Sequence, residues 1–499
     1  MNLAHIIDQH PADRVAIYSR SRPTTYGVLR DQVAHLRGGL VRLGVGRGDV
    51  VALLCSNGRY FVDMYLAALG LGAVVVPLNP TSPAPEIQGE LHIVAAKVVV
   101  VEPVAAAAWA NVDRIDLPHL EHVVATEPGS VTGADAGFDD LLTTDPVDMV
   151  EVADDDAAVY VFTSGTAGAP RAAVLSHGNL LSNIRQTVAS GAEGSVVPSD
   201  VVYGVLPLFH IFGLNVVLGS SLHQGATVVL VQRFDPSTAL DTFVERGVTV
   251  VPGAPPMWVA FSHFDEVPAN AFSGVRLALT GAAKMNEDAM RRLKDRFGVT
   301  VLEGYGLTEA APIVTSSAGL SQRIGSVGRV LPGMQVRIVD ERGDDALRGD
   351  TGEVWVKGPN VFKGYLGEPE ATRRVLDDDG WLHTGDIAIT DDDGYLYLVD
   401  RAKDLIIVSG FNVYPAEVEE VLLEHPDVLE AGVVGVPHPH TGEAVKAFVV
   451  LSADSKAHEE SLITWCLDHL ARYKCPSKVL FVDELPRNAN GKVVRRSLV

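Results

Sequence analysis

The segment Val161-Phe162-Thr163-Ser164-Gly165-Thr166-Ala167-Gly168-Ala169-Pro170-Arg171 holds the densest group of residues able to bind an anion. An apolar β-type run ends there, a Gly/Ser/Thr stretch follows, and one cation closes it. Glycines allow tight turns and close approach of the backbone to a ligand. Hydroxyls and successive N–H groups donate to oxyanions, and a cation adds charge. This is the composition of a polyphosphate loop, and a Gly/Ser surface turn shares it. The segment lacks the Lys-Ser/Thr pair that follows the last glycine of the common P-loop. A nucleotide held here would therefore belong to another class of enzyme.

Other segments carry similar chemistry. Gly304-Tyr305-Gly306-Leu307-Thr308-Glu309 joins a flexible backbone, an aromatic face, a hydroxyl and a carboxylate. Thr384-Gly385-Asp386 follows Gly380-Trp381-Leu382-His383. Asp400-Arg401-Ala402-Lys403-Asp404 packs four charges into five residues, and Pro486-Arg487-Asn488-Ala489-Asn490-Gly491-Lys492 lies near the C-terminus. Two further signals read as plain structure. His438-Pro439-His440 lacks the additional ligands of a metal site and reads as a loop. Phe234-Asp235-Pro236-Ser237 reads as a strand-to-helix turn capped by Asp or Ser.

These segments need a scaffold, and its pattern is α/β. Apolar residues at Val28, Leu29, Val33, Leu36, Leu40 and Leu43 have helical spacing. Asp49–Leu54, Ala73–Pro77 and Lys97–Val101 are continuous apolar runs, as in buried parallel strands. After about Ile338 strands shorten and turns become frequent. The last hundred residues predict two strands around Tyr395–Val408, a helix opened by Pro415, strands at Glu430–Val436 and Ala444–Leu451, and a helix over Glu459–Ala471. The boundary falls near Asp400.

The chain has 499 residues, 47% of them hydrophobic, so two or three domains are expected. A net charge of −23 argues against nucleic acid or anionic membrane as main partner. Cys55, Cys466 and Cys475 show no metal spacing and read as small hydrophobes in a reducing compartment. No signal peptide is visible, and the apolar run Ala67–Leu78 is too short to span a bilayer. A cytoplasmic protein is expected.

Taken together, the motifs resemble the adenylate-forming superfamily of acyl-CoA synthetases, firefly-type luciferases and peptide-synthetase adenylation domains. Eight appear in the family's order: the Thr163–Arg171 loop, Leu206–Gly213, Thr280–Ala283, Gly304–Glu309, Gly352-Glu353-Val354-Trp355-Val356, Thr384–Asp386, Asp400–Asp404 and Gly491-Lys492. The resemblance implies a large N-terminal domain of layered α/β subdomains (1–399), a hinge (400–403, pivot Lys403) and a small mobile α+β domain (404–499). It implies ATP-dependent activation of a carboxylic acid to acyl-AMP, then transfer to CoA with release of AMP.

The resemblance also implies roles. Thr163, Ser164, Gly165, Thr166 and Gly168 would wrap the β- and γ-phosphates, with Arg171 supplying charge. Glu309 would hold Mg²⁺, a hard cation that prefers oxygen ligands, and Thr308 would contact the α-phosphate. Tyr305 and the Gly281-Ala282-Ala283 backbone would sandwich adenine. Asp386 would accept from the ribose hydroxyls, and Arg401 would help hold the ribose or phosphate. Lys492 would bridge the carboxylate and the α-phosphate during adenylation. Phe209 and His210 match the pair beside the acyl pocket, and Gly410 the loop that lets pantetheine pass. The loop departs from the common pattern at Ala167, Arg171 and Ala172, where Thr or Ser, Lys and Gly are usual; an Arg for a Lys is not a neutral exchange. The candidate pocket segments 209–215, 251–257 and 280–283 are apolar with small residues. They suit a medium- or long-chain fatty acid and leave an aryl acid open. Two alternatives stand beside the CoA ligase: an acyl-AMP ligase that loads a carrier protein, and a non-catalytic nucleotide- or acyl-binding homologue. Monomer and homodimer are both open.

Overall fold

The computed structural model describes residues 1–163, 170–264, 267–268, 270–401, 404, 406–408, 411–438, 442–452, 455–470, 472–487 and 493–498, with residues 400, 401, 407, 411, 412, 442 and 496 described through their backbone. Contacts divide the chain into two compact units. The first comprises Met1–Ile324, Gly328–Gln335 and Lys357–Gly380, the second Gly325–Val327, Val336–Val356 and Trp381–Val499.

The first unit is built on two sheets. The seven-stranded one runs, in order, Ala136–Gly137, His122–Ala125, Val98–Val101, Val50–Leu54, Val74–Pro77, Ala157–Thr163 and Arg171–Ser176. The runs read as buried strands pair in parallel, for example Ala52 with Val76 and with Val99. From Val50–Leu54 the chain steps to Val74–Pro77 on one side, then crosses back to Val98–Val101 on the other. Right-handed crossovers in opposite directions put the linking helices on opposite faces. The carboxyl ends of Val50–Leu54 and Val98–Val101 therefore flank a topological switch point, where doubly wound sheets open a crevice.

The nine-stranded sheet runs Arg329–Val330, Ile313–Ser316, Val301–Gly306, Leu277–Thr280, Val250–Gly253, Val201–Gly204, Thr227–Leu230, Val15–Ser19 and Arg22–Thr25. Local signals set its helix starts. The Asp235 side chain accepts from Thr238 N–H and caps Pro236–Arg246, the turn expected there. Ser176 and Asn179 form a capping box that starts the helix His177–Ala189 directly after a strand. One element was not legible from apolar spacing: Phe212–Gly219 is a π-helix.

The second unit has a four-stranded antiparallel sheet, Gln335–Val339, Gly352–Lys357, Leu382–Thr390 and Leu396–Arg401. It also has a five-stranded sheet of Phe411–Val413, Ile406–Val408, Gly442–Leu451, Val428–His438 and Lys478–Phe481. The helices Pro415–Leu423 and Glu459–His469 cover one face of it, with Val418, Leu422, Leu462 and Cys466 buried against Val433, Val445 and Val449. Among the described residues no helix is long and apolar enough to cross a membrane.

Candidate active site

In the first unit the site is assembled at strand ends. Thr163 and Arg171 face each other in register as the last and first residues of an antiparallel pair, and the loop between them leaves from that point. Residues 363–366 pair with the second of these strands: Lys363 N–H donates to Val174 O, Val174 N–H to Gly364 O, and Leu366 N–H to Ala172 O. This paired segment brings Tyr365 to Arg171. The Arg171 guanidinium lies 5.7 Å from the Tyr365 ring centre and donates from Nε to Glu368 Oε2 at 2.9 Å. The charge expected to serve phosphate is thus already paired with a carboxylate. Tyr365 OH donates to Glu309 Oε1 at 2.6 Å. Burial, then the Glu309 charge, push the phenol pKa far above its usual value, so the hydroxyl stays a donor.

Glu309 sits in the short 3-10 turn Thr308–Ala310, directly after the strand Val301–Gly306. Buried asparagines clamp that turn. Asn215 Nδ2 donates to Ala311 O at 2.7 Å and Asn360 Nδ2 to Ala310 O at 2.6 Å. Asn183 exchanges hydrogen bonds with the backbone of Ile313, and Phe362 N–H donates to Glu309 O. Side-chain amides thereby satisfy backbone groups that a tight buried turn would otherwise leave orphaned. Glu309 is half-buried, and its Oε2 has no hydrogen-bond partner among the described residues. A carboxylate oxygen so placed fits a hard divalent cation. Among the described residues no cluster of three or more His, Cys, Asp or Glu could hold a metal.

The residues expected around adenine also come together. Thr280 pairs in parallel with Glu303, so Gly281-Ala282-Ala283 leaves its strand beside Gly304 and the buried Tyr305. A Cβ on Gly281 would meet Gly304 O and the Phe212 ring at 3.4 Å each. Ala282 takes a left-handed φ of 71°, and Met285 N–H, just downstream, donates to Glu303 Oε1 at 3.0 Å. Burial raises the Glu303 pKa to about 7.

The Leu206–Gly213 segment is gripped from the switch point of the other sheet. Asn57 Nδ2 donates to Gly204 O (3.1 Å) and Leu206 O (2.9 Å), while its Oδ1 accepts from Leu208 N–H (2.9 Å). Gly213 packs so tightly that a Cβ would lie 2.1 Å from Pro207 O. His210 Nδ1 accepts from Phe212 N–H at 3.3 Å, which assigns the ring proton to Nε2. Burial lowers its pKa to about 4, so the imidazole is neutral. A cavity of about 50 Å³ lies along the face of the sheet, lined by Val202, Val250 and Leu277 at the strand starts and by Val216, Pro252, Leu279 and Ile313 among others. Pro252 and Leu279 are register partners one step before Gly253 and Thr280, so the cavity runs from that step back to the strand starts.

In the second unit, Asp386 is 8% exposed and pairs across the ladder with the backbone of Arg401. Between the pairs Glu353–Ile387 and Trp355–His383 one strand contributes one residue, Val354, and the other three: Thr384, Gly385 and Asp386. The motif is therefore a β-bulge, a device for re-aiming side chains beside sites. Gly385 has φ +70°. Ser164, Gly165, Thr166, Gly168, Lys403, Gly410 and Lys492 lie outside the described residues. Sequence reasoning missed Tyr365, Glu368 and Asn57, and the asparagines at 183, 215 and 360. Asn215 carried a signal, an amide in an otherwise apolar helix.

The family model described as AMP-binding enzyme matches residues 3–366, and that of the AMP-binding enzyme C-terminal domain residues 417–492. The chain is 38% identical over 473 residues to a feruloyl-CoA synthase of Amycolatopsis sp, covering 94% of this chain and 92% of that one. It is 34% identical over 484 residues to 4-coumarate–CoA ligase 3 of Oryza sativa subsp. japonica, covering 95% and 86%. Among solved structures, ATP-bound MatB from Rhodopseudomonas palustris superposes with a TM-score of 0.91 at 32% identity, covering 100% of this chain and 98% of that one.

Proposed function

Since the chain belongs to the AMP-binding enzyme family, and so is an acid–thiol ligase that uses ATP, Mg²⁺ and CoA, we propose that its acid is an apolar aryl acid of the hydroxycinnamate or benzoate type. The observation that carries this is the small cavity that begins one step below Gly253 and Thr280. An engineered cavity of about 150 Å³ holds one benzene ring, so about 50 Å³ accepts a ring substituent rather than a long alkyl chain. The lining is mainly aliphatic and contains no charged residue, which disfavours an acid with a second carboxylate. The named activities of the two ligase relatives, on feruloyl and coumarate groups, support the same choice over the fatty acid that the small-residue segments suggested.

In this reading Phe212 and Gly281 flank the ring, and neutral His210 lines the acid's carboxylate end. Glu309, held by Tyr365, ligates the Mg²⁺ that offsets phosphate charge when ATP binds. Thr308 and the 163–171 loop donate to the phosphates. Tyr305 and residues 281–283 enclose adenine, and Asp386 and Arg401 serve the ribose. Lys492 serves adenylation, Lys403 the hinge and Gly410 the thiol's approach. The test is acid-dependent ATP–pyrophosphate exchange over hydroxycinnamates, benzoates, fatty acids of graded length and dicarboxylates. Aryl acids should give the highest kcat/KM, with AMP release on adding CoA. A preference for fatty acids beyond about ten carbons, whose tails such a cavity has no room for, would overturn the aryl assignment. Exchange without AMP release would favour a carrier-protein acceptor.

A further inference from the structure

The Gly352–Val356 segment has no role in the reading above, yet one of its side chains completes the bulge that carries Asp386. A bulge removes backbone groups from the ladder, and each freed N–H needs another acceptor. Glu353 Oε1 accepts from Gly385 N–H at 2.9 Å. Its Oε2 accepts from Trp355 Nε1–H at 3.1 Å. The Trp355 ring stacks on His383 at 3.8 Å with 9° between planes, so the residue before Thr384 is fixed as well. Thr384 Oγ1 donates to Val354 O at 2.7 Å and accepts from Asp386 N–H at 3.1 Å. The Glu353 carboxylate therefore grips the bulge at both ends, through Gly385 and through the Trp355–His383 stack.

We infer that Glu353 is a positioning residue that sets the aim of Asp386 at the nucleotide's ribose; this rests on the reading of Asp386 as the ribose acceptor. Removing the Glu353 carboxylate frees the Gly385 N–H and lets the left-handed glycine relax, so Asp386 loses its fixed direction. The consequence is specific to ligands that carry the hydroxyls Asp386 would accept from.

The test is calorimetric titration of the full chain with ATP, 2′-deoxy-ATP and 3′-deoxy-ATP, in the wild type and in Asp386→Ala, Glu353→Ala and Glu353→Gln. A hydrogen bond to a charged acceptor predicts that the wild type binds at least one deoxynucleotide about 10- to 100-fold more weakly than ATP. In Asp386→Ala that ratio should collapse towards one. In Glu353→Ala it should fall by at least about threefold, a partial loss of the same bond. Glu353→Gln keeps an oxygen for Gly385 N–H but sets its amide NH₂ against Trp355 Nε1–H, so it should recover the ratio in part, above that of Glu353→Ala. Equal weakening of ATP and deoxynucleotides in Glu353→Ala, or no recovery in Glu353→Gln, overturns the inference while leaving the Asp386 reading intact. A ratio near one in the wild type, or one unchanged in Asp386→Ala, overturns both.

Discussion

At the scale of single residues, the least expected feature is Tyr365, which touches both charged groups of the first unit's site. Its ring lies beneath Arg171 and its hydroxyl holds Glu309. Arg171 also pairs with Glu368, so an arginine in place of the family's usual lysine is tied down from two sides. A forked guanidinium can donate to Glu368 and still present other N–H groups, which a lysine ammonium does less well. The bond from Tyr365 to a carboxylate is of the charge-assisted kind, worth about 1.5–3 kcal/mol. Tyr365→Phe keeps the ring and removes only that bond. The expected outcome is a fall of about tenfold or more in kcat/KM for pyrophosphate exchange, with more Mg²⁺ needed for half-maximal rate. Conversion of supplied acyl-AMP to acyl-CoA should change little, and Mg²⁺ titration of both half-reactions makes the comparison. Equal losses in the two steps would mean that Tyr365 serves packing rather than Glu309.

At the scale of elements, the contrast between what was and was not legible has a physical cause. The strands Val50–Leu54, Val74–Pro77 and Val98–Val101 were visible because burial on both faces leaves a continuous apolar run. The segments holding Glu309 and Asp386 were visible because their chemistry is local. What was hidden depends on partners far away in the chain: Tyr365 acts on residue 309, Asn215 on residue 311 and Asn57 on residues 204–208. The bulge at 384–386 was hidden for a related reason, since it exists only relative to the register of the neighbouring strand. Asn57 shows what such a link is worth. It stands at the switch point of one sheet and holds the loop that follows a strand of the other. Asn57→Ala strips three hydrogen bonds from a buried loop, each orphaned group costing about 1–3 kcal/mol before relaxation. Stability in urea should drop by about 2–4 kcal/mol, and KM for the acid should rise more than KM for ATP, because the loop leads to His210. A parallel rise in both constants would place the effect in the whole unit and not in the acid side of the site.

At the scale of the whole molecule, buried ionisable groups make stability depend on pH, and Asp63 is one of the strongest of them. It is fully buried in the helix Arg59–Gly70, and neither carboxylate oxygen has a hydrogen-bond partner. Burial raises its pKa to about 7, only partly opposed by Arg59 one turn earlier. An unfolded aspartate titrates near 3.9, so between about pH 4 and pH 7 the folded chain binds the extra proton. Stability from this group is therefore complete below pH 4 and lost as pH rises to about 7, a total of about 4 kcal/mol. Glu90, raised to about 8, and Glu303, raised to about 7, act with the same sign. His177, buried and lowered to about 4, acts with the opposite sign and loses stability as pH falls from about 6.5. These terms overlap, and a chain with net charge −23 adds general self-repulsion as pH rises. The wild-type profile alone therefore does not isolate Asp63, whereas a difference does. Asp63→Asn keeps the shape and cannot ionise. Urea unfolding from pH 4 to pH 8 should show the variant gaining on the wild type as pH rises, by up to about 4 kcal/mol, with no further gain above about pH 8. A difference that stays constant across this range would mean that Arg59 keeps Asp63 ionised throughout, and that this helix buries an ion pair in place of a neutral acid.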